Sequence, residues 1–223
     1  MKRSTLIIGI SVAIGIGLSF LYVQIITLPD KNPSQKEQDT ITYDPDLAPP
    51  KSLQGSIIYM DGDVKWQSRT ATESAKLDAS TSIQQGELIE TGDNGATTIL
   101  FGEGTLIDIF HKSSVAFTQT LPANIVITHQ RGKAEYSQET LATPLSIRAG
   151  HLLVTLHKGV ASITLKETKN TDSQVKESIV TVKVIQGSAT AVYNSLNYKT
   201  KYRELDEGEV LFYNDISRES EIY

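Results

Sequence analysis

Short runs in which every second residue is apolar recur along most of this chain and constrain its fold more than any other feature. Val64 and Trp66 alternate with the polar residues Lys65 and Gln67. The same spacing recurs at Thr105-Ile107-Ile109, Val115-Phe117, Ile125-Ile127 and Val180-Val182-Val184. Successive side chains of a strand point to opposite faces, so a period of two indicates strands with one buried face. No convincing helical pattern appears among these runs, and the segment 71–80 is expected to supply at most a short turn.

Glycine-rich segments separate these runs, among them MDGD, TGDNG, FGEG and IQGS. Glycine adopts positive φ without steric cost, which suits tight turns between strands. Six glycines are therefore expected at structural turns: Gly86, Gly92, Gly95, Gly102, Gly104 and Gly208. Many short strands with turns between them predict an all-β fold over residues 53–223, an elongated β-sandwich or β-roll of short antiparallel strands. The polar segment 166–178 is expected to be a long exposed hairpin loop.

The stretch IETGDNGATTILFGEGTLIDI (89–109) raises the question of a phosphate-binding or metal-binding loop. A phosphate-binding loop needs a lysine before its hydroxyl residue and a helix after it. Here Gly104 is followed directly by Thr105, and the residues after it alternate as in a strand. A calcium-binding repeat would need tandem copies, and only GEGTLID resembles one. The stretch is therefore interpreted as two hairpin corners around a strand, with no cofactor-binding or metal-binding residues.

Residues 5–28 contain no charged side chain and are long enough to cross a membrane. As a helix they would extend about 36 Å at about 1.5 Å per residue, against about 30 Å for a bilayer core. A cleaved signal peptide would end in small residues, whereas this run ends in YVQIITLPD. We therefore expect an uncleaved transmembrane helix. The positive charges of Lys2 and Arg3 place residues 1–4 in the cytoplasm and all residues after 29 outside.

Two further features accompany the predicted helix. Gly9, Ala13 and Gly17 form a stripe of small residues that can support helix pairing, although membrane helices commonly have such a composition. Residues 29–52 hold five of the seven prolines and are expected to form a semi-stiff linker. The protein is thus expected to span the cytoplasmic membrane once, with its β domain held outside.

Charge and residue types exclude several functions. The net charge is −5 and no basic stripe occurs, so nucleic acid is not an expected partner. The absence of cysteine excludes thiolate chemistry. The four histidines, His111, His129, His151 and His157, are expected at the surface, because none has a second metal ligand at suitable spacing. His151 and His157 should share the exposed face of one strand, about 20 Å apart.

Acidic and aromatic residues suggest weaker candidates for chemistry or binding. The carboxylate pairs Asp61/Asp63 and Glu207/Glu209 can in principle hydrolyse glycans, but they adjoin turn glycines, which favours solvated corners. The aromatics near the C-terminus are expected mostly in the core or in cross-strand pairs, although exposed tyrosines can bind a partner or a glycan. These aromatics are Tyr193, Tyr198, Tyr202, Phe212 and Tyr213. No catalytic residues are assigned, and the chain is not expected to be an enzyme.

The order of motifs after Trp66 resembles the FecR-like domain family of bacterial envelope proteins and regulators. The turn Gly86–Gly92 (GELIETG), the strand end Leu100-Phe101, the hairpin Glu103-Gly104-Thr105 and the serine-led strand at Ser113 follow the family pattern. The resemblance covers residues 54–118 well and 119–215 more loosely, up to a closing Gly208-Glu209 turn. It implies an extracytoplasmic β domain that binds a partner without catalysis.

The family's regulators also carry a cytoplasmic segment that restrains a sigma factor. Here only residues 1–4 precede the predicted helix, which is too short to hold a protein. The sequence therefore predicts a membrane-anchored binding or scaffold module with an unidentified protein or glycan partner in the envelope. One alternative is a signalling subunit of a FecR-type transmembrane system that acts through helix pairing. The other is an envelope glycan hydrolase.

Overall fold

The computed structural model describes residues 51–78, 80–140, 143–169 and 176–223. The predicted stub 1–4, the predicted helix 5–28 with its Gly9-Ala13-Gly17 stripe, and residues 29–50 of the linker lie outside the described residues. The described residues contain no helix that is long and apolar enough to span a membrane.

The described part of the chain is all-β, as the period of two predicted. It contains fourteen strands and no α-helix within the described ranges. The strands are β1 (Gly55–Asp61), β2 (Val64–Gln67), β3 (Ala75–Lys76), β4 (Leu88–Thr91), β5 (Ala96–Phe101), β6 (Thr105–Ile109), β7 (Ser114–Leu121), β8 (Asn124–Gln138), β9 (Leu145–Ala149), β10 (Leu152–Lys169), β11 (Lys176–Asn194), β12 (Thr200–Leu205), β13 (Val210–Asn214) and β14 (Glu219–Ile222). Inward and outward side chains alternate strictly in β5 and β6, where apolar and threonine side chains are buried on one face.

The strands are neither all short nor all antiparallel, which corrects the prediction. Strands β8, β10 and β11 contain 15, 18 and 19 residues. β8 and β9 pair in parallel, whereas the other pairs are antiparallel, so the fourteen strands form one mixed sheet. The described residues of the polar segment 166–178, which are 166–169 and 176–178, are strand rather than loop, because β10 and β11 stay paired as far as Lys169 and Lys176. Polar side chains do not prevent this, since the backbone ladder supplies the hydrogen bonds.

The three long strands each belong to two parts of the sheet. The first half of β8 pairs with β7 and β9, and its second half pairs with β6 and β10. β10 pairs first with β9 and then with β8. β11 pairs first with β13 and then with β12. The sheet therefore consists of two layers, one containing β2, β3, β4, β7, β9 and β12 and the other β1, β5, β6, β13 and β14, joined by continuous strands.

A glycine with positive φ lies where each long strand passes from one layer to the other. Gly132 in β8, Gly159 in β10 and Gly187 in β11 have φ of 78°, 122° and 80°. In β8 the buried residues have odd numbers before the glycine and even numbers after it. In β10 and β11 the buried residues have mainly even numbers before the glycine and odd numbers after it, so each strand changes its buried face at the bend. Glycine inside a strand commonly marks such a bend. The IQGS segment, expected to separate two strands, is thus a bend within β11.

The buried faces of the two layers meet in one hydrophobic core. Phe101 of β5 and Phe117 of β7 have ring centroids 5.1 Å apart, and each residue is fully buried. Tyr193 of β11 and Tyr213 of β13 meet in the same way, with centroids 4.9 Å apart. Because each pair joins strands of different layers, these contacts hold the folded-over sheet together.

Candidate recognition site

The six glycines expected at turns all lie at or beside turns, for two physical reasons. Gly86, Gly102 and Gly208 have φ of 85°, 58° and 89°, a conformation that side chains disfavour. Gly92 and Gly95 lie instead where the chain passes close to Asp63, so that a Cβ on Gly92 would lie 2.6 Å from the Asp63 carboxylate. Gly104 lies in the β5–β6 turn, beside Thr140 and Glu139.

Trp66 and Glu87, which both lie in the segment that resembles the FecR-like family, contact each other directly. The Trp66 indole donates a hydrogen bond of 2.9 Å to Glu87 Oε2, and the same oxygen accepts 2.8 Å from the Gln84 amide. Glu87 is buried, with 5% of its surface exposed. A buried carboxylate must have donors to be stable, and these two hold the turn at Gly86 against β2. The acidic residue of this turn is thus a structural contact.

The carboxylate pairs considered for hydrolysis lie at turns. Glu207 Oε2 accepts 3.4 Å from the Gly187 amide, and Glu209 Oε2 accepts 2.9 Å from the Asp206 amide. Asp63 donates its own amide to Asn94 Oδ1 at 3.3 Å. Within the described ranges, no group of three or more histidine, aspartate and glutamate side chains is arranged to hold a metal ion.

His129 is buried rather than exposed, which corrects the expectation for this histidine. It continues the inward face of Ile125 and Ile127 on β8. Its Nε2 lies 2.9 Å from the Gly132 carbonyl oxygen, which can only accept, so Nε2 carries the proton. Its Nδ1 therefore accepts from the Tyr136 hydroxyl at 2.8 Å. Burial lowers the pKa of His129 below 6.5, and the neutral ring bridges the two halves of β8.

This neutral histidine should make the folded state sensitive to acid. The folded pKa of His129 is lowered, so the unfolded chain binds more protons below pH 6.5. The contribution of His129 is fully present above pH 6.5 and is lost as the pH falls from 6.5 toward the folded pKa. We expect the unfolding free energy to fall by up to about 1.4 kcal/mol per pH unit in that window. Urea titrations across this pH range should show this slope reduced in His129→Gln and unchanged in His157→Gln.

His151 and His157 are both exposed, as predicted, but only His157 lies on β10, because His151 precedes its first residue. His151 pairs with Asp215, whose Oδ1 accepts 2.7 Å from the His151 amide and lies 3.0 Å from Nδ1 of the ring. His157 Nε2 lies 2.9 Å from Thr190 Oγ1. The His151–Asp215 contact connects the turn before β10 with the turn after β13, so it ties together the two layers.

The aromatic residues near the C-terminus divide between core and surface. Tyr193 and Tyr213 are buried, whereas Tyr198, Tyr202 and Phe212 are exposed by 93%, 66% and 42%. Burial of the Tyr213 hydroxyl raises its pKa to about 12. Tyr202 and Phe212 instead lie in cross-strand pairs, opposite Val192 and Thr181 of β11, and Tyr198 lies in neither the core nor a strand pair. Phe212 is the outward residue between buried Leu211 and Tyr213 on β13, which the period of two alone would predict.

Phe212 contributes to an open cleft of about 560 Å³ on the outer face of β11, β13 and β14. The cleft is lined by Ile179, Phe212, Tyr213, Asn214, Ser217, Glu219, Glu221 and Tyr223. The Phe212 and Tyr223 rings meet edge to face, with centroids 5.6 Å apart and an angle of 82°. The Tyr223 hydroxyl donates 2.6 Å to Glu221, and this contact raises the tyrosine pKa. The cleft thus combines aromatic surface with two carboxylates.

The cleft adjoins a strand that forms the edge of its layer. Among the described strands, β14 pairs with β13 alone. Val210 and Tyr223 exchange both backbone hydrogen bonds at 3.0 Å. Hydrogen-bonded and non-hydrogen-bonded residue pairs alternate along an antiparallel ladder, so the amides of Ser220 and Ile222 point away from β13. An edge of this kind can accept another extended segment. The sequence did not single out β14 or the lining residues Glu219, Glu221 and Tyr223.

A scan against protein-family models finds no match, and a search of curated protein sequences also finds none. Two crystal structures are similar in part, each of a candidate anti-sigma factor from Parabacteroides distasonis ATCC 8503. They are 12% and 13% identical to this chain, with a TM-score of 0.49 for each. Each match covers 61% of this chain and 58% of that chain. A likeness of this extent carries no argument about family or function.

Proposed function

We propose that the β domain is a non-catalytic recognition module and that its C-terminal cleft binds a protein or glycan partner in the cell envelope. The observation that carries this proposal is the exposed Phe212–Tyr223 ring pair beside Glu219 and Glu221. Exposed aromatic rings cost solvation unless a partner covers them, and contiguous exposed apolar surface often marks a binding site. The carboxylates supply acceptors that orient a partner's hydroxyl or cationic groups.

The position of the cleft supports binding in preference to chemistry. The Tyr223 hydroxyl is hydrogen-bonded to Glu221, and the Asn214 side chain accepts from the amides of Ile216 and Ser217 at 2.9 Å and 3.1 Å. The side chains of Tyr223, Glu221 and Asn214 are thus engaged in contacts within the β13–β14 hairpin and at its turn. A rigid, solvent-facing surface of this kind provides a preorganised binding surface.

The proposed cleft can be tested by replacing its rings. Phe212→Ala and Tyr223→Ala remove exposed side chains, so each should change the unfolding free energy by about 0.5 kcal/mol or less. Together they should abolish co-purification of the partner with the full chain, because aromatic anchors dominate most interfaces. Tyr59→Ala, which removes an aromatic exposed by 54% on β1, is the matched control and should retain the partner. Equal recovery of the partner by the wild-type chain, the Phe212→Ala/Tyr223→Ala double variant and the Tyr59→Ala variant would place the binding surface elsewhere.

The same proposal includes a transmembrane anchor and a relationship of the β domain to the FecR-like family. They rest on the apolar run 5–28 and on the motif order between Gly86 and Ser113. A domain held outside the membrane is well placed to meet envelope components. Protease added to spheroplasts should therefore degrade residues 53–223, while a cytoplasmic control protein stays intact. Protection of residues 53–223 would contradict this topology.

A further inference from the structure

A second cleft, of about 740 Å³, lies where β8 bends from one layer to the other. Its walls come from β4, the β6–β7 turn, β7, β8 and the far end of β10. They are formed by Glu90, His111, Lys112, Ser114, Gln130, Arg131, Gly132, Lys133, Thr164, Leu165, Lys166 and Glu167. This polar cleft contains none of the residues that line the C-terminal cleft.

The charge of this cleft is opposite to that of the chain. Four cationic side chains line it, from Lys112, Arg131, Lys133 and Lys166, together with two carboxylates. The whole chain has a net charge of −5. Three separate segments of the chain supply these cations, so only the fold brings them together. A concentration of cations in a cleft attracts anions and raises their local concentration.

Close packing at Gly132 positions these cations. A Cβ on Gly132 would lie 2.5 Å from the Lys112 carbonyl oxygen, so the β6–β7 turn packs directly on the β8 backbone. Buried Ser113 reinforces this contact by accepting 2.8 Å from the Lys133 amide. Arg131 is next to Gly132 on β8 and is held by Glu90, with its guanidinium 3.1 Å from the carboxylate. Lys112 also pairs with Asp93 at 3.5 Å and Lys133 with Glu135 at 3.1 Å, so three of the four cations stand on a preorganised framework.

The backbone of Lys112 is strained. Its φ of 56° is one of three positive values among non-glycine residues in the part of the chain that the structure describes. Its amide donates 3.0 Å to the Gly92 carbonyl oxygen, which fixes this conformation. Left-handed conformations disfavour a side chain such as lysine, and strain of this kind concentrates at binding sites. Glycine would suit this backbone better, but it would remove the cation.

From these features we infer that the cleft binds a phosphorylated carbohydrate. The cations, including one arginine suited to bidentate contact, fit the phosphate group. Glu90 and Glu167 would repel a free phosphate, but carboxylates accept hydrogen bonds from sugar hydroxyls. Ser114, Gln130 and Thr164 add neutral polar groups to the same walls. The volume lies within the range of about 300–1,000 Å³ that is usual for small-molecule sites.

Calorimetric titration of the full chain in detergent micelles tests this inference. The probes are glucose 6-phosphate, glucose and inorganic phosphate. Glucose 6-phosphate should bind more tightly than either of the others. Lys112→Gly and Lys166→Glu should each weaken its binding about tenfold or more, because each removes one charged contact. Lys112→Gly should keep its melting temperature, since glycine accepts the same φ, and this separates lost binding from lost folding.

Lys201→Glu is the matched control for Lys166→Glu. It makes the same change in net charge at an exposed position on β12, outside the cleft. It should leave the affinity for glucose 6-phosphate unchanged. The inference is overturned if the wild-type chain does not bind this probe or binds inorganic phosphate equally well. It is also overturned if Lys201→Glu weakens binding as much as Lys166→Glu does.

Discussion

Gly159→Ala is expected to be among the most destabilising additions of a single methyl group in the described part of the chain. The added Cβ would overlap the Gln186 carbonyl oxygen, far inside the 3.0 Å that real Cβ contacts respect. Gly159 also faces Gly187 across the β10–β11 ladder, so neither strand can move away without breaking the pairing. Positive φ costs about 1–2 kcal/mol in a residue with a side chain, and overpacking adds about 1–3 kcal/mol.

Gly208→Ala provides the matched control for this prediction. Gly208 has a similar need for positive φ, at 89°, but a Cβ there would meet nothing within 4 Å. It should therefore cost only about 1–2 kcal/mol, the conformational part of the effect. Urea unfolding of both variants, followed by circular dichroism, measures the difference. Equal destabilisation by the two substitutions would contradict the close approach of the β10 and β11 backbones at Gly159 and Gly187.

Phe117→Ala is expected to have the second large effect, about 3–5 kcal/mol. Phe117 is fully buried, and its ring meets Phe101 from the opposite layer at 5.1 Å. Truncation leaves a cavity between the layers that rigid, paired strands cannot easily close. The same urea experiment measures this loss, with Phe212→Ala as the control because its ring lies on the outer face. A loss for Phe117→Ala as small as for Phe212→Ala would show that the two layers do not share one packed core.

The period of two predicted the strand character and much of the inward face, but it could not predict the bends. Residues 89–109 form strand, turn, strand, turn and strand, but only the corner at Gly102–Gly104 is a hairpin, because β4 pairs with β2 and β7 and not with β5. Local turn chemistry predicts that the chain turns, and not which strands the turn brings together. Gly159 and Gly187 resemble turn glycines in sequence. Their role as bends depends on partner strands that are distant along the chain, and a local pattern contains no information about them.

The candidate sites were harder to predict for the same reason. His129 could have been placed in the core, since it continues the alternation of Ile125 and Ile127, but its polarity suggested the surface. Its burial depends on the Tyr136 hydroxyl and the Gly132 carbonyl, which the bend of β8 brings to it. The cleft at Phe212 and Tyr223 likewise forms only when β13 and β14 pair.

The central claim is that the C-terminal cleft is the surface by which this domain recognises its partner. Site-specific photo-crosslinking in living cells tests it most directly, with a photoreactive amino acid at Tyr223 or, as the control, at Tyr59 of β1. Within the described strands, β1 and β14 lie at opposite edges of one layer, so the two probes sample different surfaces. We predict one discrete crosslinked species from position 223, reduced by Phe212→Ala, and none at that mass from position 59. The same species from both positions, or capture from position 59 alone, would contradict the account.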